Sequence, residues 1–306
     1  MKVAVVGNCQ ANPVAQYLKT MCPSLELLRV TVIHLSNAAS ADADLENLDQ
    51  ADIIFSQLVN DDYHAAHLAT SKLRERYSDK LVTWPNLFFN GNCADLCYIT
   101  QPGGRLIGPL DVYQNRFLFE TWHEGVPVGQ ARNRLAEKYL ENADSLRASV
   151  TASLTALEQR DESCDVKMSD IISNHWKSTR LFFTFNHPSL KLLLPLVQRM
   201  VGHVKISADV ELDAAFVQEP LAQFVGPTFS ELASVLDLDY QSVESAKGVE
   251  FGIEDGELVS GKQKIYSPDE LIKLFYIAYN AQPIDFEACV YTPSYSASSS
   301  SFKHAA

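Results

Sequence analysis

Two short polar stretches in this 306-residue chain have the residue types that acyl or proton transfer needs. Gly7-Asn8-Cys9-Gln10 follows the apolar run Val3-Ala4-Val5-Val6 and precedes a helical pattern from Pro13 to Met21, with Val14, Leu18 and Met21 on one face. Cys9 therefore sits at a strand-to-helix turn, where backbone amides and the positive helix end favour anions and a thiolate, and Gly7 permits the turn. A small thiol can also simply fill such a turn. Asn186-His187-Pro188 follows the strand-like Arg180 to Phe185 and leads into a helical pattern from Leu190 to Val201. A histidine held there suits general acid or base work, and the plainer alternative is a capping asparagine beside a surface histidine.

Gln57 stands at the end of another apolar strand pattern, where it and Asn60 can donate to a developing oxyanion, while Asp61 or Asp62 can cap a helix. Arg105 and Arg116 flank a loop-rich stretch and are the basic residues singled out for a phosphorylated ligand. His64 with His67, and Cys93 with Cys97, lack further ligands, so no metal is expected. The first junction carries neither Gly-x-Gly-x-x-Gly nor a Walker pattern, which argues against nicotinamide enzymes and kinases. Asp42-Ala43-Asp44 reads as a polar loop rather than a metal-diphosphate motif at a strand end.

The elements that must position these groups alternate. Strands are expected at 2–6, 27–33, 52–57 and 80–84, separated by helix-sized segments, which predicts a mostly parallel, Rossmann-like or SGNH-like α/β sheet flanked by helices. Residues 85–104 are rich in Asn, Gly and Pro and read as a loop over the carboxyl edge of the sheet. Residues 1–110 with 178–210 make up the expected α/β core, and 111–177 an all-helical insertion. The segment 211–293 is expected to be mainly helical, with a possible hairpin at Glu254-Asp255-Gly256 and a helix opened by Ser267-Pro268-Asp269-Glu270, and serine-rich 294–306 to be a frayed tail.

Composition narrows the function classes. Twenty-five Lys and Arg against 38 Asp and Glu give a net charge of −13, which argues against nucleic-acid binding through broad phosphate neutralisation. Any polyanion must meet a local basic pocket. With 46% hydrophobic residues the chain can build a core without metal or disulfide staples, and its six scattered cysteines are expected to be thiols. The start lacks a signal-peptide pattern and no stretch suits a bilayer span, so a cytoplasmic protein is expected.

Taken in order, Gly7-Asn8-Cys9-Gln10, Ser56-Gln57, Trp84-Pro85-Asn86-Leu87-Phe88-Phe89-Asn90-Gly91 and Phe183-Thr184-Phe185-Asn186-His187-Pro188 resemble the WcbI family of polysaccharide biosynthesis enzymes, over about the first 200 residues. The resemblance implies an enzyme of capsule or surface-polysaccharide synthesis that binds coenzyme A and moves an acetyl group from acetyl-coenzyme A to a carbohydrate hydroxyl, with peripheral association to an assembly complex. On that basis Gly7, Asn8, Cys9, Gln10, Arg105 and Arg116 hold the cofactor. Cys9, His187, Gln57 and Asn186 carry the chemistry. His187 takes the proton from the sugar hydroxyl, or from Cys9 if an acyl-cysteine forms first; the amides of Asn8 to Gln10 and the Gln57 side chain steady the oxyanion; Asn186 orients. Two alternatives remain open: an SGNH-like esterase or deacetylase, although cysteine replaces the usual serine and the Asp-x-x-His spacing is missing, and a non-catalytic nucleotide- or sugar-binding module.

Overall fold

Alternation of apolar residues along the first strand determines the layering. In the computed structural model, which describes residues 1–210, 212, 217–240, 242–254 and 257–293, β1 (Lys2–Gly7) sends Val3 and Val5 into one apolar cluster and Ala4 and Val6 into another. A strand buried on both faces needs cover on both sides. The first cluster is covered by α1 (Ala11–Met21), which begins two residues before the expected Pro13. β2 (Glu26–Leu27) and β3 (Thr31–Val32) replace the single expected strand at 27–33, pairing with the two ends of β1. α2 (Ala41–Asp49) follows, so Asp42-Ala43-Asp44 is helical, with Asp44 buried against Arg29 and His67. β4 (Ile53–Gln57), α3 (Thr70–Tyr77) and β5 (Leu81–Trp84) complete a parallel sheet in the order β2-β1-β4-β5, with β3 also on β1. Leu48, Leu73 and Tyr77 cover its second face. Gly7, Gln57 and Trp84 share its carboxyl edge.

The stretch beyond Trp84 is not all loop. After 85–95 comes β6 (Leu96–Gln101), which turns through Gly103 and Gly104, both at positive φ, into β7 (Gly104–Arg105) and also pairs with β8 (Gln114–Asn115). The first four residues of β6, Leu96 to Ile99, are a short continuous buried run, which the Asn- and Gly-rich flanks obscured in the sequence. The next segment is helical: α4 (Arg116–His123), α5 (Ala131–Glu141), α6 (Ala143–Glu162) and α7 (Ser169–His175). Leu135, Tyr139, Leu157 and Ile172 join the same cluster as Val3 and Phe55, so these helices share the sheet's core.

β9 (Phe182–Thr184) does not enter the parallel sheet. It pairs antiparallel with β10 (His187–Pro188) through a tight turn at Phe185-Asn186, and α8 (Leu190–His203) starts beyond it. The expected strand-to-helix junction is therefore a small hairpin followed by a helix. α9 (Ser230–Val235) precedes β11 (Ala246–Glu254) and β12 (Glu257–Tyr266), a long hairpin. Its expected tip, Asp255-Gly256, lies outside the described residues. Ser267 and Glu270 form the reciprocal cap of α10 (Pro268–Ala281), and β13 (Val290–Thr292) returns to pair with β6. The C-terminal part is thus mixed rather than mainly helical. Residues 294–306, expected to be a frayed tail, lie outside the described residues.

Candidate active site

The first turn is held by amide side chains. Gly7 has no left-handed backbone angle; a Cβ there would stand 3.2 Å from both Cβ and Oε1 of Gln57 and 3.3 Å from the Ala11 Cβ, so glycine is needed for close approach rather than for turning. Gln57 Oε1 accepts from the Asn8 amide at 2.9 Å, and Gln57 Nε2 donates to Gln10 Oε1 at 3.0 Å. Gln10, fully buried, sends Nε2 to the carbonyls of Leu87 and Asn186, both at 2.9 Å. Gln57 therefore braces the turn with its oxygen and one of its two Nε2 protons. Two of the expected backbone donors are occupied, Asn8 N by Gln57 Oε1 and Gln10 N by Asn8 Oδ1 at 3.0 Å.

Cys9, half-buried, faces Asn8 Oδ1 with its sulfur at 3.9 Å. Burial pushes its thiol up to about 11, against the smaller opposing effect of its own backbone amide, so the resting group is a neutral thiol and not the expected thiolate. A negative charge on Cys9 would push the phenols of Tyr98 and Tyr113 further up, which puts all three in one electrostatic neighbourhood.

The second stretch is fixed by aromatic packing. Phe185 packs against Phe88, Tyr98 and Tyr113 with ring centroids 5.1, 4.8 and 5.4 Å away, and its carbonyl accepts from the Phe89 amide. Asn186, in the turn, accepts at Oδ1 from Tyr113 (2.8 Å) and Thr184 (3.0 Å) and donates from Nδ2 to Tyr98 (3.2 Å). It caps no helix. His187 is 8% exposed, so it is no surface histidine either. Its Nε2 lies 3.3 Å from the Tyr113 hydroxyl, while Nδ1 is buried without a protein partner. Desolvation lowers its pKa to about 4, keeping the ring neutral at pH 7.

The two stretches meet through the bond from Gln10 to the Asn186 carbonyl, and Asn86 joins them, accepting from Asn8 Nδ2 at 3.4 Å. The two arginines separate. Arg105 is exposed and lies over the Tyr98 ring, 4.2 Å from its centroid, at the edge of this group. Arg116 is ion-paired with Glu120 at 2.7 Å and lies over Phe117 and Tyr291, contacts that belong to the packing around α4 and β13. Sequence reasoning missed Tyr98 and Tyr113. They carry no motif, and only the strand pattern of β6 hints that Tyr98 shares an orientation with Leu96.

A solved structure of WcbI, described as a novel polysaccharide biosynthesis enzyme in its native form without a disulfide bond between coenzyme A and one of its cysteines, superposes with a TM-score of 0.66 at 18% identity, over 91% of this chain and 90% of that one. At that identity the likeness speaks for the fold. No curated protein matches the sequence. The family model for the polysaccharide biosynthesis enzyme WcbI matches residues 2–209, a span that contains both the Cys9 turn and the His187 hairpin, and the chain belongs to the WcbI family.

Proposed function

We propose that the chain is a coenzyme A-dependent O-acetyltransferase that acetylates a carbohydrate hydroxyl in polysaccharide synthesis. The observation that carries this reading is the 2.9 Å bond from Gln10 to the Asn186 carbonyl, which holds a cysteine turn beside a histidine with an unpartnered buried nitrogen. The residues suit a coenzyme A ligand: the exposed Arg105 guanidinium, braced on Tyr98, offers a cation to a phosphate, and half-buried Cys9 offers a neutral sulfur to a neighbouring thiol or thioester. Gly7 to Gln10 form the wall at that point. The solved relative whose description pairs coenzyme A with a cysteine supports the same assignment.

Acetyl-coenzyme A, when bound, supplies an activated thioester carbon. His187 Nδ1 accepts the proton of the sugar hydroxyl and returns it to the departing group, a role open to a ring kept neutral by burial. Direct transfer is favoured over an acyl-cysteine, because Cys9 rests as a thiol with its ionisation well above neutral pH. Gln57 and Asn186 act by positioning. In this role the protein would act on polysaccharide precursors in the cytoplasm, in peripheral contact with an assembly complex.

Calorimetric titration with coenzyme A and acetyl-coenzyme A, beside nicotinamide dinucleotide as control, tests the ligand class. Selective binding of the coenzyme A species supports the proposal. Release of acetate without any dependence on coenzyme A would replace it with a hydrolase.

A further inference from the structure

We infer that Tyr113 is a positioning residue that holds the proton of His187 on Nε2 and so presents Nδ1 as the bare, proton-accepting atom. The inference rests on the reading of His187 as the base and adds the device that sets its tautomer. Tyr113 has one proton and two lone pairs. Its proton has a good acceptor in Asn186 Oδ1 at 2.8 Å, an oxygen that also accepts from Thr184, while Nδ2 of the same amide donates to Tyr98. Three hydroxyls thus surround the Asn186 amide. With its proton committed, the Tyr113 oxygen can only accept from His187, so the contact at 3.3 Å is Nε2–H donating to the phenol. The Tyr98 hydroxyl, which accepts from Asn186 Nδ2, belongs to a ring packed beside Tyr113 with centroids 5.4 Å apart.

One proton on a neutral imidazole leaves Nδ1 without one. That atom is buried with no protein partner, a costly state unless something outside the chain uses it. An acceptor hydroxyl supplies the missing donor. The edge-on packing of the Tyr113 and His187 rings, 5.6 Å between centroids, restrains the imidazole from flipping and exchanging its nitrogens. Cys9 and Tyr98 act electrostatically on Tyr113, and Arg105 on Tyr98, while among the described residues the one side chain hydrogen-bonded to the His187 ring is Tyr113. A tyrosine braced by an asparagine thus does here what a carboxylate does in a serine-histidine-aspartate arrangement, selecting the tautomer.

Nitrogen-15 NMR of the imidazoles, with His187 assigned by its loss in His187→Gln, reads the tautomer without any substrate. The wild type is expected to carry its proton on Nε2. In Asn186→Leu the Tyr113 hydroxyl loses its acceptor, turns to donate to Nε2 and drives the proton to Nδ1; in Asn186→Leu/Tyr113→Phe that shift is absent. A wild-type proton on Nδ1, or a folded Asn186→Leu variant with unchanged tautomer, overturns the inference, and the wild-type spectrum decides it even if a variant fails to fold. Tyr113→Phe should retain coenzyme A binding and lose transfer kcat on the order of tenfold to a hundredfold, the scale of a misdirected general base. Absence of transfer in the wild type would count against the proposed activity alone, since the tautomer is read independently.

Discussion

Gln10 Nε2 reaches the carbonyl of Asn186 at 2.9 Å, across 176 positions of sequence, while Gln10 Oε1 accepts from Gln57. One buried amide thus ties the turn after β1, the end of β4 and the His187 hairpin together. Replacing it by alanine strands the Asn186 and Leu87 carbonyls and the Gln57 amide. Gln10→Ala is expected to cost about 2–4 kcal/mol of stability in urea titrations and to abolish coenzyme A binding. A loss under about 0.5 kcal/mol would show that the three segments hold together without it.

Gly7→Ala tests the close approach of β1 to Gln57. The added methyl meets Gln57 and Ala11 at 3.2–3.3 Å, so the Gln57 side chain must shift and its bond to Asn8 must lengthen. About 1–2 kcal/mol of destabilisation is expected by thermal melting, together with weaker ligand binding. Unchanged binding would mean that the turn does not depend on Gln57.

Protonation of His187 should limit stability in acid. Its folded pKa of about 4 lies below the ordinary 6.5, so the unfolded chain binds the proton first as pH falls. The stabilisation is complete above pH 6.5, declines below it and is gone at about pH 4, up to about 3 kcal/mol in all. Asp95, whose buried carboxyl is raised to about 6, titrates in the opposite sense, and the difference between wild type and His187→Gln cancels it. That difference, followed by urea unfolding from pH 4 to 7, should slope; a flat line would contradict a buried neutral imidazole.

Alkylation of Cys9 by iodoacetamide, followed by peptide mass spectrometry, should be slow at pH 7.5 and still accelerating at pH 9 to 10, because burial holds the thiol near 11. A rate that levels off by pH 8 would reveal a thiolate and revive the covalent route.

Arg105→Ala removes an exposed guanidinium that lies over the Tyr98 ring. Coenzyme A affinity is expected to fall about tenfold, with stability changed by less than about 0.5 kcal/mol. Equal affinity in calorimetry would remove Arg105 from the binding surface.

The sequence alone determined the parallel sheet, because strand burial and helix periodicity are local: the apolar runs at β1, β4 and β5, the helical spacing of α5, α6 and α8, and the Ser267-Glu270 cap all appear as patterns along the chain. It also singled out Cys9, Gln57, Asn186 and His187 by residue type at element ends. Their roles were decided by tertiary contacts. Gln57 braces the turn through its bonds to Asn8 and Gln10; the Cys9 thiol is neutral because of the protein packed around it; and Asn186 turned from a possible cap into the acceptor for Tyr113. Tyr98 and Tyr113 were invisible beforehand, since a tyrosine in an apolar strand or turn looks the same in sequence wherever its hydroxyl ends up. Hydrogen-bond partners and desolvation depend on residues far away along the chain, and only the folded core, which brings β6 and the β9–β10 hairpin together around Phe185, sets them.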